Sequence, residues 1–347
     1  MNTVEFIDVQ LDLLITHFVG NKNREEGYKI SESTTFIKQE SEDYLMRYFL
    51  SSFQLNEFNS FTHPIKIEMN EVYSIVKTLF KSQANFVEQS SNLLKLLYES
   101  ADHPNIKSGE FNIAYFKQVS FNDEEVDAIG IFKSEVDVPF IKMMERESNY
   151  FIEHDTGYDL NKIDKGCLIF NSQPKEGYQV LVLDKTNKND AQYWVDDFLQ
   201  LKPNGDEYHQ TTNFMKITNE YISSEMADEF EINKTDKIDL LNRSMEYFKS
   251  AEMISKKDFE RNVLQDEAVI KSYQKFDNAF RTSHEISSDD GFEISQPAVK
   301  KQARFFKSIL KLDKNFHVYI HGDKSLIEQG VDENGRKFYK LFYYQES

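Results

Sequence analysis

The spacing of apolar residues changes period several times along the chain, and each change marks an element. Residues 4–19 alternate imperfectly through Val4, Phe6, Val9, Leu11, Leu13, Ile15 and Phe18, which predicts a strand. "GNKNREEG" (20–27) is polar with glycine at both ends, so a turn and a short strand are expected over 20–40. From Ser41, a candidate cap, the repeat becomes helical: Tyr44, Leu45, Tyr48, Phe49, Ser52 and Phe53 share a face. "NEVYSIVKTLF" opens a second helix at Asn70, with Val72, Ile75, Val76 and Leu79 on one stripe. A third runs from about Asn85 to Ala101 through Val87, Leu93, Leu94, Leu97 and Tyr98.

The period then shortens to two. "EFNIAYFKQVSF" and "VDAIGIFKSE", separated by "NDEE", read as a hairpin. "NYFIEHD", "KGCLIFNS" and "YQVLVLD" are three more strands, and "NDAQYWVDDFL" is a short helix capped by Asn189 or Asp190. Helical segments follow near 208–230, 237–250, 255–264 and 266–280, then a polar loop over 287–296. Pro297 suits the first turn of a last helix, expected to continue to Lys314. "NFHVYIHG" and "GRKFYKLFYY" close the chain as strands, with a tight turn at Asn334-Gly335.

These elements give an α+β protein: N-terminal helices with a mainly antiparallel sheet, then a helical bundle ending in a small αββ unit. Its 347 residues suit two domains, an α+β domain over 1–200 and a mainly helical one over 201–347. Twelve glycines and six prolines are too few for an all-β protein built on many tight turns. The single cysteine, Cys167, lies in an apolar run and reads as buried; one thiol forms no internal disulfide, and a reducing, cytoplasmic compartment is expected. The N-terminus lacks a basic region and carries Glu5, Asp8 and Asp12, so it does not read as a signal peptide. No apolar run approaches the roughly 20 residues of a membrane helix.

Charge adds a feature that the pattern does not. The chain carries a formal charge of -18, yet residues 297–347 hold ten Lys or Arg against six Asp or Glu, or +4. Residues 1–296 hold 31 basic against 53 acidic, or -22. On a helical wheel from Pro297, Lys300, Arg304, Lys307, Lys311 and Lys314 fall on one narrow face, with Lys301 beside them. Val299, Ala303, Phe306 and Leu310 form the neighbouring apolar stripe, widened by Ile309. Two readings stand: a solvated face, paired or not with the chain's own carboxylates, or a surface that contacts duplex phosphates. Net acidity does not forbid the second, because at physiological salt the Debye length is about 8 Å and distant acid barely opposes a local patch. Such contacts would position the protein without reading bases.

Candidate catalytic groups are sparse. His103, Lys107, Glu110, Asp127 and Lys133 form a loose acid-and-lysine set of the kind a metal-dependent nuclease uses, but "DAIGIFK" lacks the acid two residues before its lysine. Asp196 and Asp197 are adjacent on a helix and point about 100° apart, a poor ligand pair. His317, Tyr319 and His321 would share a strand face without a third ligand. No Walker loop, GxGxxG, GxSxG or HExxH occurs. No catalytic residue, metal site or cofactor is expected.

Six segments taken together carry a resemblance. "NEVYSIVKTLF", "FVEQSSNLLKLLYESADHPNIKSGE", "EEVDAIGIFKSE", "KGCLIFN", "NDAQYWVDDFL" and "YHQTTNF" occur in this order, and the chain resembles the bacterial nucleoid-associated protein family of the YejK/NdpA type, in its Bacteroidetes-like form. The resemblance implies a cytoplasmic protein that co-localises with the bacterial chromosome and binds DNA, with no established enzyme activity; double-stranded DNA is the partner expected. Three functions are therefore set side by side. The first is a nucleoid-associated DNA-binding protein using Lys300, Lys301, Arg304, Lys307, Lys311 and Lys314. The second is an acidic interaction protein held on the nucleoid by a basic DNA-processing partner. The third is a metal-dependent nuclease. A homodimer would suit the pseudo-twofold symmetry of a duplex.

Overall fold

The computed structural model describes residues 2–345 except 54, 56, 185–192, 285, 287–290, 308, 313 and 321–325. The chain forms two compact units, residues 2–204 and 205–347.

The first unit is built on a nine-stranded antiparallel sheet. Its strands are β1 (Val4–Glu5), β2 (Gln10–Val19), β3 (Tyr28–Lys29), β4 (Phe58–Phe61), β5 (Gly109–Phe121), β6 (Glu124–Ser134), then, beyond a separate hairpin β7 (Val138–Arg146) and β8 (Asn149–Gly157), β9 (Lys165–Phe170), β10 (Gln179–Asp184) and β11 (Leu201–Pro203). The order across the sheet is β11-β4-β10-β9-β6-β5-β2-β3, with β1 on β5. The β5–β6 hairpin closes through Asn122 and Asp123 at φ +52° and +63°, the left-handed pair that a two-residue turn of type I′ requires. Asn and Asp tolerate that conformation better than other residues with a Cβ, which is why "ND" marks the turn.

Helices cover both faces. On one, α2 (Glu71–Lys81), α3 (Phe86–Ser100) and a π-helical turn at Tyr193–Leu199 pack on Ile113, Ile131, Cys167 and Ile169. On the other, α1 (Gln39–Leu50) packs on Phe116, Phe132, Leu168 and Phe170. Strand β9 is buried along its length, as a strand covered on both faces must be, and "KGCLIF" accordingly reads as an apolar run rather than an alternation. Phe132 stacks on Phe49 of α1 with ring centroids 4.4 Å apart. A Cβ at Gly130 would lie 2.4 Å from the Phe132 ring, and one at Gly166 would lie 2.9 Å from it, so both glycines make room for that ring.

The second unit carries α4 (Glu207–Glu220), extended by a π-helical turn and a short helix to Glu229, then α5 (Lys234–Ser250), α6 (Glu267–Ser283) and α7 (Gln296–Gln302). Aromatic rings dominate its core: Phe214, Phe248, Phe259, Tyr273 and Phe306 cluster with Val299. Its described strands form three antiparallel pairs: β12 (Met253–Ser255) with β13 (Gly291–Glu293), across the intervening helices, and two hairpins, β14 (Ile309–Leu312) with β15 (Phe316–Tyr319) and β16 (Ile327–Val331) with β17 (Lys337–Leu341).

The α+β class and the helices over 70–81, 86–100 and 207–283 follow the sequence reading. Asn70 caps α2 as expected, its side chain accepting the Tyr73 N–H at 2.9 Å while its amide donates to the Thr62 and Leu199 carbonyls. Four expectations are corrected. Helix α1 begins at Gln39 behind Lys38, so Ser41 lies in its first turn and caps nothing. Strands β4, β7, β11, β12 and β16 lie outside the expected ones, and the two closing strands β15 and β17 pair with β14 and β16 rather than with each other. The loop over 287–296 contains β13. The helix expected from Pro297 to Lys314 ends at Gln302, passes through one 3-10 turn at Ala303–Phe305, and gives way to β14. Aromatic Phe305 and Phe306 weaken the helix there, and Ile309–Leu312 gains more by pairing with β15 and burying Leu310 against Ile238 and Ile320. The proposed cap residues Asn189 and Asp190 lie outside the described residues.

Candidate nucleic-acid interface

The six basic residues singled out in the sequence occupy a helix, a turn and a hairpin rather than one helical face. Lys300 and Lys301 end α7, Arg304 stands in the 3-10 turn, Lys307 follows it, Lys311 lies on β14, and Lys314 is in the turn that joins β14 to β15. The fourfold-threefold spacing therefore does not generate a helical stripe beyond Arg304. The segment is instead fixed by its apolar residues. Ala298, Val299, Phe306 and Leu310 are all buried, with the Phe306 ring set edge-on against Phe248. The Phe305 carbonyl accepts the Asn219 side-chain amide at 2.9 Å, and the Ser295 N–H donates to Thr211 Oγ1 at 3.0 Å.

With those residues turned inward, the cations are left outside. Lys300, Arg304, Lys307, Lys311 and Lys314 are exposed, and none forms an ion pair among the described residues. Lys301 is half-buried. The Arg304 guanidinium lies 4.7 Å from the centre of the half-exposed Phe305 ring, a cation-π contact that holds a cation and an aromatic face together at the surface. The β16–β17 hairpin differs: Arg336 pairs with Asp332 at 2.8 Å and Lys340 with Glu328 at 3.0 Å. Lys337, exposed on β17 and without an ion pair among the described residues, is one cation that wheel reasoning left out.

The nuclease set does not assemble. Asp127 accepts the Tyr115 hydroxyl at 2.6 Å near one end of β6, while Lys133 lies six residues, about 20 Å, further along the same strand. Lys133 is buried with Glu135 and Tyr193 on the α2–α3 side of the sheet. Glu110 points to the opposite side, where it accepts the Tyr158 hydroxyl beside a cleft of about 680 Å³ lined by Tyr44, Tyr48, Asn112 and Ser134. Burial pushes the Tyr48 phenol in that cleft up to about 12. Asp196 and Asp197 share a π-helical turn, and burial together with its neighbour raises the Asp196 carboxyl. His317 opposes Lys311 across β14–β15, and His321 is outside the described residues. Among the described residues no three His, Cys, Asp or Glu side chains are grouped to hold a metal ion.

The model of the family described as nucleoid-associated protein YejK matches residues 15–336, nearly the whole chain. The chain belongs to that family. Membership makes this YejK-family chain a nucleoid-associated protein and places it with the nucleoid, in the cytoplasm. No curated protein matches the sequence. No described helix is long and apolar enough to cross a membrane.

Proposed function

We propose that this YejK-family protein binds duplex DNA directly and without catalysis. Lys300, Lys301, Arg304, Lys307, Lys311 and Lys314 neutralise phosphates along one strip of the second unit. The observation that carries this reading is the exposure of five cations lacking carboxylate partners among the described residues, in a chain whose first 296 residues carry -22. Phosphate contacts of this kind release condensed counterions and are insensitive to base sequence. The contact is made by a turn and a hairpin as well as a helix end, so its fit to the duplex comes from charge and shape. The test is a gel shift on plain duplex with Lys300, Arg304, Lys307 and Lys311 all changed to Glu. Binding is lost if the strip carries it; unchanged affinity removes the strip from the account.

The acidic excess of residues 1–296 supports a second reading, in which the chain reaches the nucleoid through a basic DNA-processing protein. Under that reading the purified protein does not shift duplex, yet it is recovered with the chromosome from a lysate.

A further inference from the structure

The hairpin β7–β8 pairs with no other strand among the described residues. Two nine-residue strands are joined by Glu147 and Ser148 at φ +48° and +66°, a type I′ pair like that of β5–β6. Every residue of both strands except Gly157 is exposed. An isolated two-stranded ribbon is marginal in water, and large apolar side chains left on one mark a contact surface.

The two faces of the ribbon differ. On one, Lys142 pairs with Asp155 at 3.2 Å and Arg146 with Glu153 at 3.1 Å, and the Lys142 ammonium lies 5.2 Å from the Phe140 ring centre. Charge on that face is satisfied within the ribbon. The other face carries Ile141 at 64% exposure, Met143 at 62%, Tyr150 at 72% and Ile152 at 68%. Besides the Tyr150 phenol, its ionisable groups are Glu145 towards the tip and His154 towards the root.

We propose that this face is a self-association surface, on which the ribbons of two copies of the chain stack face to face about a twofold axis. Three arguments select a second copy. Residues 138–157 hold two cations (Lys142, Arg146) against four anions (Glu145, Glu147, Glu153, Asp155), or -2, so the ribbon does not suit a phosphate backbone. The face is apolar at its centre, and an isologous contact needs a patch that complements itself. The cross-strand layers run Ile141/His154, Met143/Ile152 and Glu145/Tyr150. Antiparallel stacking centred on Met143/Ile152 sets Glu145 of each copy over Ile141 of the other, in the layer of that copy's His154 and one strand across from it, whereas parallel stacking puts the two Glu145 carboxylates in one layer, one strand apart.

Size fixes the strength. Nine residues at about 3.4 Å each, across two strands, offer roughly 300 Å² of projected face, against about 800 Å² per partner in a standard stable interface. The contact is therefore a reversible dimerisation, dependent on protein concentration.

Sedimentation velocity on the full chain over a micromolar concentration series tests the proposal. Wild type shifts from monomer to dimer, and Ile152→Asp raises the dissociation constant by at least about tenfold. Glu145→Lys weakens the dimer, and adding His154→Glu restores it. Stacked sheets lie about 10 Å apart, so Met143→Cys is joined to its counterpart by a short bismaleimide while Lys142→Cys, on the other face, is not. Cys167 is fully buried and gives no background. A wild type that stays monomeric, or an Ile152→Asp protein that associates like wild type, overturns the proposal. Failure of the paired exchange to restore association overturns the antiparallel arrangement.

Discussion

The Lys133 ammonium donates to Glu135 Oε1 at 2.8 Å, and both side chains are almost sealed from water. The same ammonium donates to the Lys107 carbonyl and lies 5.8 Å from the Tyr193 ring centre. Burial lowers the Lys133 pKa from the ordinary lysine range, and Glu135 opposes that shift. Removing one partner of such a pair strands the other charge. Glu135→Ala is expected to cost about 3–5 kcal/mol in urea unfolding, and Lys133→Met with Glu135→Gln clearly less. Equal losses in the two proteins would mean that the pair is not what the site depends on.

His17 predicts acid sensitivity. Its Nδ1 accepts the Ser31 N–H at 3.0 Å, so the proton sits on Nε2, which faces Ser90 Oγ at 3.1 Å. Burial lowers its pKa from 6.5 to about 4. Between those values the unfolded chain binds a proton that the folded one refuses, so the contribution is full above pH 6.5 and is lost as pH falls towards 4. His17 is almost fully buried, so the loss is about 3 kcal/mol. Urea midpoints at neutral and acid pH measure it, and His17→Gln should flatten the dependence.

The phosphate strip predicts a salt slope. Single changes of Lys300, Arg304, Lys307 or Lys311 to Gln should each reduce the log–log slope of duplex affinity by about 0.9. Arg336→Gln, which removes a cation already paired with Asp332, should leave it unchanged. Binding titrations at several salt concentrations read both.

Asp277 predicts a weak point in the second unit. Its carboxylate, almost fully buried, accepts Arg281 Nε at 2.6 Å and Lys256 Nζ at 3.2 Å, tying α6 to the short helix Lys256–Phe259. Asp277→Ala removes the buried carboxylate that both cations share and should destabilise the protein by about 3 kcal/mol, read by circular dichroism during urea unfolding.

Local chemistry made part of this fold legible. Asn70 announces α2 because its side chain satisfies an end N–H, and the "NDEE" turn announces β5–β6 because Asn and Asp tolerate left-handed backbone. Strand β7 was illegible for the converse reason. Exposed on both faces, "VPFIKMMER" has no buried side to impose an alternation, and Pro139 argues against a strand from sequence alone. The basic segment failed differently. A four-three spacing of lysines fits a helix, but Ile309–Leu312 also alternates, and only the presence of β15 decides between them. Its inward residues were still legible, since Val299, Phe306 and Leu310 are buried in either conformation.

Trp194 is the only tryptophan, and its indole is wholly enclosed between the sheet and the α2–α3 layer. Intrinsic emission excited at the red edge of the ultraviolet band therefore comes from residues 2–204 alone, and the unit at 205–347 is dark in it. The protein thus carries a built-in optical probe that separates melting of the sheet from melting of the helical half without any label.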